Sequence, residues 1–106
     1  MELRKLETDQ NTLTIEFFGD LDAKGCRQAQ HHIDEVIHSD DHKEVEINLK
    51  HVQFLDSSGI GAIVYLYKRL VERERSMIIE NVSGQPLEII SLLRINHAIP
   101  VNSKGH

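Results

Sequence analysis

The sequence predicts a single α/β domain in which three to four helices pack on a mixed sheet of four to five strands. Some segments alternate apolar and polar side chains, others carry apolar residues every three or four positions, and the two kinds of segment alternate along the chain. Alternating strands and helices imply crossover connections and a mostly parallel or mixed sheet. We expect one domain over residues 1–106, which is an ordinary domain length.

The first half of the chain predicts a hairpin followed by a helix. Residues 12–18 alternate apolar and polar side chains, which indicates a strand, and the turn-forming residues 9–11 make residues 2–8 its expected hairpin partner. From Ala23 onward the apolar residues follow a helical period, and Asp22 is placed to cap that helix. The buried faces of the strand and the helix are expected to comprise Leu13, Ile15, Phe17, Cys26, Ala29, Ile33, Val36 and Ile37.

The second half of the chain continues the alternation of strands and helices. The expected elements are a strand at 44–49, a helix at 57–74, a central strand at 76–80, a helix starting at 83–86 and a short strand at 99–101, before a frayed tail at 102–106. The two helices are expected to bury Ile60, Ile63, Val64, Tyr67, Leu70 and Val71, and Leu87, Ile90 and Leu93.

Composition and charge narrow the possible function classes. The chain has 12 basic and 17 acidic residues, and its net charge of -5 argues against nucleic acid or an anionic membrane as the main partner. No apolar run approaches the roughly 18 residues of a membrane span, and residues 1–5 lack the apolar core of a secretory signal. The single cysteine suits a reducing compartment. We therefore expect a cytoplasmic, monomeric domain without metal or cofactor.

The segment Asp56–Gly59 carries the most informative chemistry. It lies where a strand leads into the strongest predicted helix, and ligands and reactive groups gather at such turns in α/β proteins. A helix N-terminus offers free N–H groups and the positive end of the helix dipole, so a serine here could carry a phosphate without unfolding the domain. Asp and Ser also cap helices, and capping is compatible with phosphorylation.

Two glycines in the first turn of this helix add to the functional interpretation. Gly59 and Gly61 cost about 1–2 kcal/mol in helix propensity. Such a cost is explained if a neighbouring element or a partner approaches the backbone closely at both positions.

Two motifs resemble a known family. Residues 48–61, with Phe-Leu-Asp-Ser-Ser-Gly at 54–59, are similar to the signature of STAS domains of the anti-sigma factor antagonist type. Residues 19–22 (Gly-Asp-Leu-Asp) resemble that family's other recurring motif. The resemblance covers essentially the whole chain and implies a single STAS-like domain. The chain departs from the family at residues 23–26, where a hydroxyl-rich first turn is usual, and Gly25 is expected to loosen the helix there.

The resemblance implies a regulatory binding module and not an enzyme. Family members are phosphorylated on the serine after the motif's aspartate, which corresponds to Ser57, with Ser58 as a secondary candidate. The implied partners are a serine kinase of the anti-sigma type, which binds the unphosphorylated form, and a PP2C-like phosphatase. The expected partner-binding residues are Asp20, Asp22, Asp56, Ser57, Ser58, Gly59 and Ile60.

Two other functions stay open at this point. A domain of this fold can serve as an accessory subunit of a lipid-export-type transport ATPase. A small hydrolase would use Ser57 as its nucleophile, although no Gly-x-Ser-x-Gly elbow surrounds that serine.

The remaining reactive side chains have structural explanations. Four histidines between residues 31 and 42 lie among acidic residues and are expected on a solvated polar face, not at a metal site. They are His31, His32, His38 and His42. Cys26 lies on the apolar stripe of its helix and is expected in the core, whereas Tyr65 falls off the stripe of the strong helix and is expected to be exposed.

Overall fold

The predicted α/β architecture is confirmed by a computed structural model, which describes residues 1–103 and shows a five-stranded sheet with three α-helices. The strands are β1 (Glu2–Glu7), β2 (Thr12–Phe18), β3 (Glu44–His51), β4 (Ser76–Val82) and β5 (Val101–Ser103). The helices are α1 (Ala23–His38), α2 (Ser57–Glu72) and α3 (Gly84–Leu92), and a short 3-10 turn spans Ile95–His97.

The strands lie side by side in sequence order. β1 and β2 form an antiparallel hairpin, and β2, β3, β4 and β5 are each parallel to their neighbours. Because right-handed crossovers that step in one direction share one face of the sheet, the helices lie on the same side. The strand residues buried on that side include Leu13, Ile15, Phe17, Val45, Ile47, Leu49, Met77 and Ile79. Because α1 follows β2 and α2 follows the parallel strand β3, the starts of these two helices lie together at the C-terminal ends of the two strands.

The predicted hairpin and the buried faces of β2 and α1 are confirmed, except that Cys26 is half-buried, and the predicted face of α2 is partly wrong. Leu66, which the pattern missed, is only 2% exposed, whereas Val71, which was expected in the core, is 49% exposed. The apolar stripe of α2 runs through Ile63, Leu66 and Leu70 at the helical period, and this leaves Val71 on the outer side of the last turn.

The C-terminal part of the chain departs from two predictions. Leu93 was expected on the buried face of α3, but it follows the last helical residue and is half exposed, while Ile90 is buried. β5 begins two residues later than the strand expected at 99–101 and includes Asn102, which was expected in a frayed tail. The side-chain amide of Asn102 donates to Glu80 Oε1 at 3.0 Å. Pairing with β4 orders this segment, and residues 104–106 of the expected tail lie outside the described residues.

A buried arginine lies at the other end of the parallel strands, away from the starts of α1 and α2. Arg75 is 7% exposed, and its Nε donates to the carbonyl oxygen of His42 at 2.6 Å. Its Nη1 donates to the carbonyl oxygens of Val36 at 3.0 Å and Ile37 at 3.4 Å, at the end of α1. Burial lowers the pKa of this guanidinium. Arg75 thus joins α1 to the beginning of β4 through carbonyl groups that have no partner within the helix.

An ion-pair network joins the hairpin to α1. The Lys5 ammonium donates to Glu35 Oε1 at 2.6 Å and to Asp40 Oδ2 at 2.9 Å. The hydrogen bond from Lys5 lowers the pKa of Glu35. Burial alone would lower the pKa of Lys5, but its hydrogen bonds with Glu35 and Asp40 outweigh burial and raise it.

We expect the Lys5→Met variant to have a flatter acid-stability curve than the wild type. A carboxylate with a lowered folded pKa contributes stability above its unfolded pKa and loses it as the pH falls through the folded pKa. For Glu35 that loss begins near its ordinary value of 4.5. Urea unfolding at several pH values between about 7 and 3 measures the free energy of unfolding of both proteins. The difference between the wild type and Lys5→Met should become smaller toward the acid end.

Lys68→Met is the matched control, because Lys68 is an exposed lysine on α2 that forms no ion pair within residues 1–103. Its stability should fall with pH as that of the wild type does. Parallel acid curves for wild type and Lys5→Met would contradict a role for Lys5 in the shift.

Candidate functional site

The loops that follow β2 and β3 lie side by side and bring the starts of α1 and α2 together. The N–H of Leu21 donates to the carbonyl oxygen of Phe54 at 2.9 Å, and the N–H of Asp56 donates to the carbonyl oxygen of Leu21 at 3.3 Å. Leu21 and Leu55 form a parallel bridge and are both almost fully buried. These backbone contacts fix the position of one helix start relative to the other.

The helices α1 and α2 each begin with an aspartate cap. Asp22 Oδ1 accepts a hydrogen bond from the N–H of Gly25 at 2.8 Å, which confirms the predicted cap of α1. Asp56 Oδ1 accepts from the N–H groups of Ser58 at 2.9 Å and Gly59 at 3.1 Å. Both aspartates have extended backbones, as N-cap residues do. The site therefore contains two neighbouring helix N-termini, each carrying a carboxylate.

Ser57 is the first residue of α2 and is exposed. Among residues 1–103 its hydroxyl has no hydrogen-bond partner. The Asp56 carboxylate already occupies the N–H groups of Ser58 and Gly59, so the N-terminus of α2 has fewer free donors than the sequence suggests. No histidine ring bonds to Ser57 in the described part of the chain, and the arrangement favours an accessible hydroxyl over an activated nucleophile.

The structure separates the two glycines at the start of α2. A Cβ on Gly59 would clash with the carbonyl oxygen of Leu21 and with a methyl group of Leu55. The expected close approach is therefore confirmed at Gly59, where the neighbour is the β2–α1 loop. At Gly61 no neighbouring element approaches, because nothing within residues 1–103 lies within 4 Å of a Cβ built there, and the approach of a partner stays a prediction.

Gly25 serves the same purpose at the start of α1. A Cβ at this position would clash with the carbonyl oxygen of Asp20. Gly25 was expected to loosen the helix, but it instead lies where the β2–α1 loop packs tightly against the first turn. The turn at residues 23–26 therefore lacks the hydroxyl side chains that are usual in the family, and it makes a close contact with the backbone of Asp20.

The predicted partner-binding residues fall into two groups by burial. Asp20, Ser57 and Ser58 are exposed, and the carboxylates of Asp22 and Asp56 belong to half-buried residues. The other two, Gly59 and Ile60, are buried, and Ile60 is 9% exposed. Direct contact of these seven residues with a partner stays a prediction.

Gln85 is a residue at the site that the sequence analysis missed. Its Oε1 accepts from the N–H of Leu55 and its Nε2 donates to the carbonyl oxygen of Leu55, both at 2.8 Å. The sequence marked this segment as a helix start, but contained no signal that the side chain reaches a residue 30 positions earlier.

Phe54 is a second residue that the sequence analysis left without a role. It is 43% exposed in the loop that leads to Asp56. A phenylalanine in the loop that precedes a helix start could have been noticed, since large aromatic side chains that are exposed favour interfaces.

Cys26 lies close to both helix caps and is half-buried. Its pKa is raised, first by burial, then by the negative charges of Asp56 and Asp22. This is consistent with the expected packing role, because a thiol with a raised pKa is a poor nucleophile. The pKa of Cys26 is therefore sensitive to the negative charges of the two aspartates.

We expect Cys26 in the Asp56→Asn variant to react with iodoacetamide several-fold faster than in the wild type. Asparagine retains the N-cap but removes the charge, so the thiolate forms at lower pH. The measurement is the alkylation rate as a function of pH, with the wild-type midpoint above the ordinary 9.0. Asp9→Asn, in the exposed hairpin turn, should leave the rate unchanged. Equal rates for wild type and Asp56→Asn would show that Asp56 does not act on the thiol.

The histidine prediction needs one correction. His31 and His38 are exposed, His32 is half-buried, and His31 Nε2 lies 3.9 Å from Glu35 Oε2. His42, expected on the solvated face, is 8% exposed and lies 3.2 Å from a Glu7 oxygen, because Arg75 holds its backbone against the end of α1. Within residues 1–103 no three His, Cys, Asp or Glu side chains are arranged to hold a metal ion.

Tyr65 is 39% exposed, as predicted. In the part of the chain that the structure describes, none of the helices has both the length and the apolar character needed to cross a membrane.

Comparison with known proteins gives a consistent result over more than nine-tenths of the chain. An anti-sigma F factor antagonist from Paenibacillus polymyxa is 24% identical over 97 residues, which cover 92% of this chain and 83% of that protein. An anti-sigma-factor antagonist (STAS) domain protein from Planctomyces limnophilus has a TM-score of 0.82 at 22% identity, covering 96% of this chain and 90% of that one. The Bacillus cell fate determinant SpoIIAA, in its phosphorylated form, has a TM-score of 0.73 at 19% identity, covering 97% and 93%. The STAS domain family model matches residues 4–105, and the chain therefore belongs to the STAS domain family.

Proposed function

We propose that this STAS domain is an anti-sigma factor antagonist-like regulator controlled by phosphorylation of Ser57. Its unmodified form binds a serine kinase of the anti-sigma type, phosphate on Ser57 releases that partner, and a PP2C-like phosphatase restores the binding form. The observation that carries the proposal is the exposed hydroxyl of Ser57, which has no hydrogen-bond partner within residues 1–103 and lies at the start of α2, where two aspartate-capped helix N-termini meet.

The position of Ser57 allows modification without unfolding. Its side chain takes no part in the core or in a helix cap, because Asp56 provides the cap of α2. The first turn is held by Gly59 against the β2–α1 loop. A kinase could therefore phosphorylate Ser57 while the sheet and both helix starts keep their positions.

Charge explains how the phosphate would act. A phosphoserine carries about -1.5 to -2 charges at neutral pH. It would stand near the carboxylates of Asp20, Asp22 and Asp56, none of which forms an ion pair within residues 1–103. A partner docked on this surface would bury unpaired charge, which costs several kcal/mol. A tenfold loss of affinity needs only about 1.4 kcal/mol.

Phe54 supplies an apolar group at the same surface. It is joined to Leu21 by a backbone hydrogen bond and precedes Ser57 by three residues. Buried aromatic side chains contribute strongly to protein interfaces. A mixed surface of one exposed aromatic side chain and several acidic groups suits a protein partner better than a small molecule.

The test is phosphosite mapping by mass spectrometry on tagged protein isolated from its native cells. The wild type and a Ser58→Ala control are expected to carry one phosphate, and Ser57→Ala none. Phosphate on Ser58 alone, or no phosphate on the wild type under any growth condition, would contradict the proposal. The second result would favour the transport-subunit alternative, in which docking needs no phosphate on Ser57.

A further inference from the structure

The segment that leads to Ser57 is held from both sides. On one side, Phe54 and Asp56 exchange backbone hydrogen bonds with Leu21. Because backbone groups of an extended segment alternate in direction, the N–H and C=O of Leu55 point away from Leu21. Both of these groups bond to the side chain of Gln85 at 2.8 Å. The carboxamide of Gln85 thus takes the place of a neighbouring strand.

These two hydrogen bonds satisfy groups that have no access to water. Leu55 is 0% exposed, and a buried backbone group without a partner is costly. The side chain comes from the first turn of α3, directly after Gly84, whose φ of 61° is a left-handed conformation that favours glycine. A left-handed residue at the turn from β4 into α3 and a two-bond contact to a distant loop together form a specific connection.

We propose that Gln85 is a positioning residue for the phosphorylation of Ser57. The inference rests on the proposed function of that serine. Gln85 fixes the backbone of Leu55 through two hydrogen bonds. The next residue, Asp56, caps α2 by accepting from the N–H groups of Ser58 and Gly59. Ser57 lies in the chain between Asp56 and these two N–H groups. Gln85 therefore determines where the Ser57 hydroxyl is presented, although it lies on a different helix.

The expected effect on modification is large because group transfer depends on exact placement of the acceptor. A displacement of about 1 Å can reduce the rate of a reaction about 100-fold. The Gln85→Ala variant, which loses both contacts to Leu55, is expected to be phosphorylated about tenfold more slowly than the wild type. Glu88→Ala is the matched control, since Glu88 is exposed one turn further along α3.

Amide hydrogen exchange measured by NMR tests positioning without any partner. In Gln85→Ala, the amides of Leu55, Ser58 and Gly59 should exchange faster by a larger factor than the amides of Ile47 and Ile79 in the sheet. A role limited to overall stability would speed exchange at both sets by the same factor, and that result would overturn the inference.

The Gln85→Glu variant provides a conservative rescue. An ionised glutamate cannot donate to the Leu55 carbonyl and would place a negative oxygen against it, and this repulsion displaces the side chain from the Leu55 N–H as well, whereas a protonated glutamate can make both hydrogen bonds. The protection factor of the Leu55 amide should therefore be low at neutral pH and rise as the pH falls through the carboxyl range. Protection that is equal at both pH values would contradict the two-bond role.

The phosphorylation arm uses an extract of the native cells supplied with ATP, with the rate at Ser57 followed by mass spectrometry. The expected order is wild type and Glu88→Ala together, with Gln85→Ala about tenfold slower. Equal rates for wild type and Gln85→Ala would overturn only the role of Gln85. Failure of the wild type to be phosphorylated here and in its native cells would overturn the proposed function, and this inference with it.

Discussion

The Gly59→Ala variant is expected to be less stable than the wild type by about 3 kcal/mol. This is the upper end of the usual cost of overpacking a core, and it applies here because the neighbouring groups cannot easily move. The added methyl group would clash with the Leu21 carbonyl oxygen and the Leu55 side chain, and both residues are almost fully buried. Relief requires α2 to move away from the β2–α1 loop. Urea unfolding measures the change in the free energy of unfolding.

Gly61→Ala is a matched control on the same helix turn. It makes the same chemical change where nothing in the described residues 1–103 lies within 4 Å of the new Cβ. Removing a glycine from a helix should then stabilise the protein by about 0.5–1 kcal/mol. The two variants are therefore expected to change stability in opposite directions. Shifts of the same sign and size would show that helix propensity, and not the contact with Leu21, determines the effect at Gly59.

The sequence predicted the parts of the fold that depend on local periodicity. The alternation in residues 12–18 placed β2 and its buried face, and the helical period after Ala23 placed α1. An aspartate directly before a helical apolar pattern is a typical N-cap, so the cap by Asp22 was also predictable. Where each residue's role follows from its near neighbours in the chain, sequence reasoning succeeds.

The parts that could not be predicted depend on contacts between distant segments. Val71 fits the apolar pattern of α2 as well as Leu66 does, and only packing decides which is buried. The burial of Arg75 depends on carbonyl groups at the end of α1, and that of His42 on the same contact. The bonds from Gln85 to Leu55 span 30 residues. Propensity and spacing carry no information about such pairs.

The Ser57→Asp variant is expected to bind its kinase partner at least about tenfold more weakly than the wild type, whereas Ser57→Ala retains wild-type affinity. Aspartate adds one negative charge to a surface that already carries Asp20, Asp22 and Asp56, and alanine adds none. The partner is first isolated with the Ser57→Ala chain and identified by its ability to phosphorylate the wild-type chain on Ser57. Affinities of the purified partner for each variant are then measured by calorimetry at low and at physiological salt.

Asp20 offers a way to separate the charge of the added aspartate from the loss of the serine itself. It is exposed, caps no helix with its carboxylate and forms no ion pair within residues 1–103, so Asp20→Asn should leave the fold unchanged. If negative charges at this surface repel the partner together, the Ser57→Asp/Asp20→Asn double variant should recover part of the lost affinity. The recovery should be larger at low salt, where exposed charges are screened less. Equal affinities for Ser57→Asp and Ser57→Ala would contradict the switch itself, whereas a double variant no better than Ser57→Asp would restrict the repulsion to the immediate neighbourhood of Ser57.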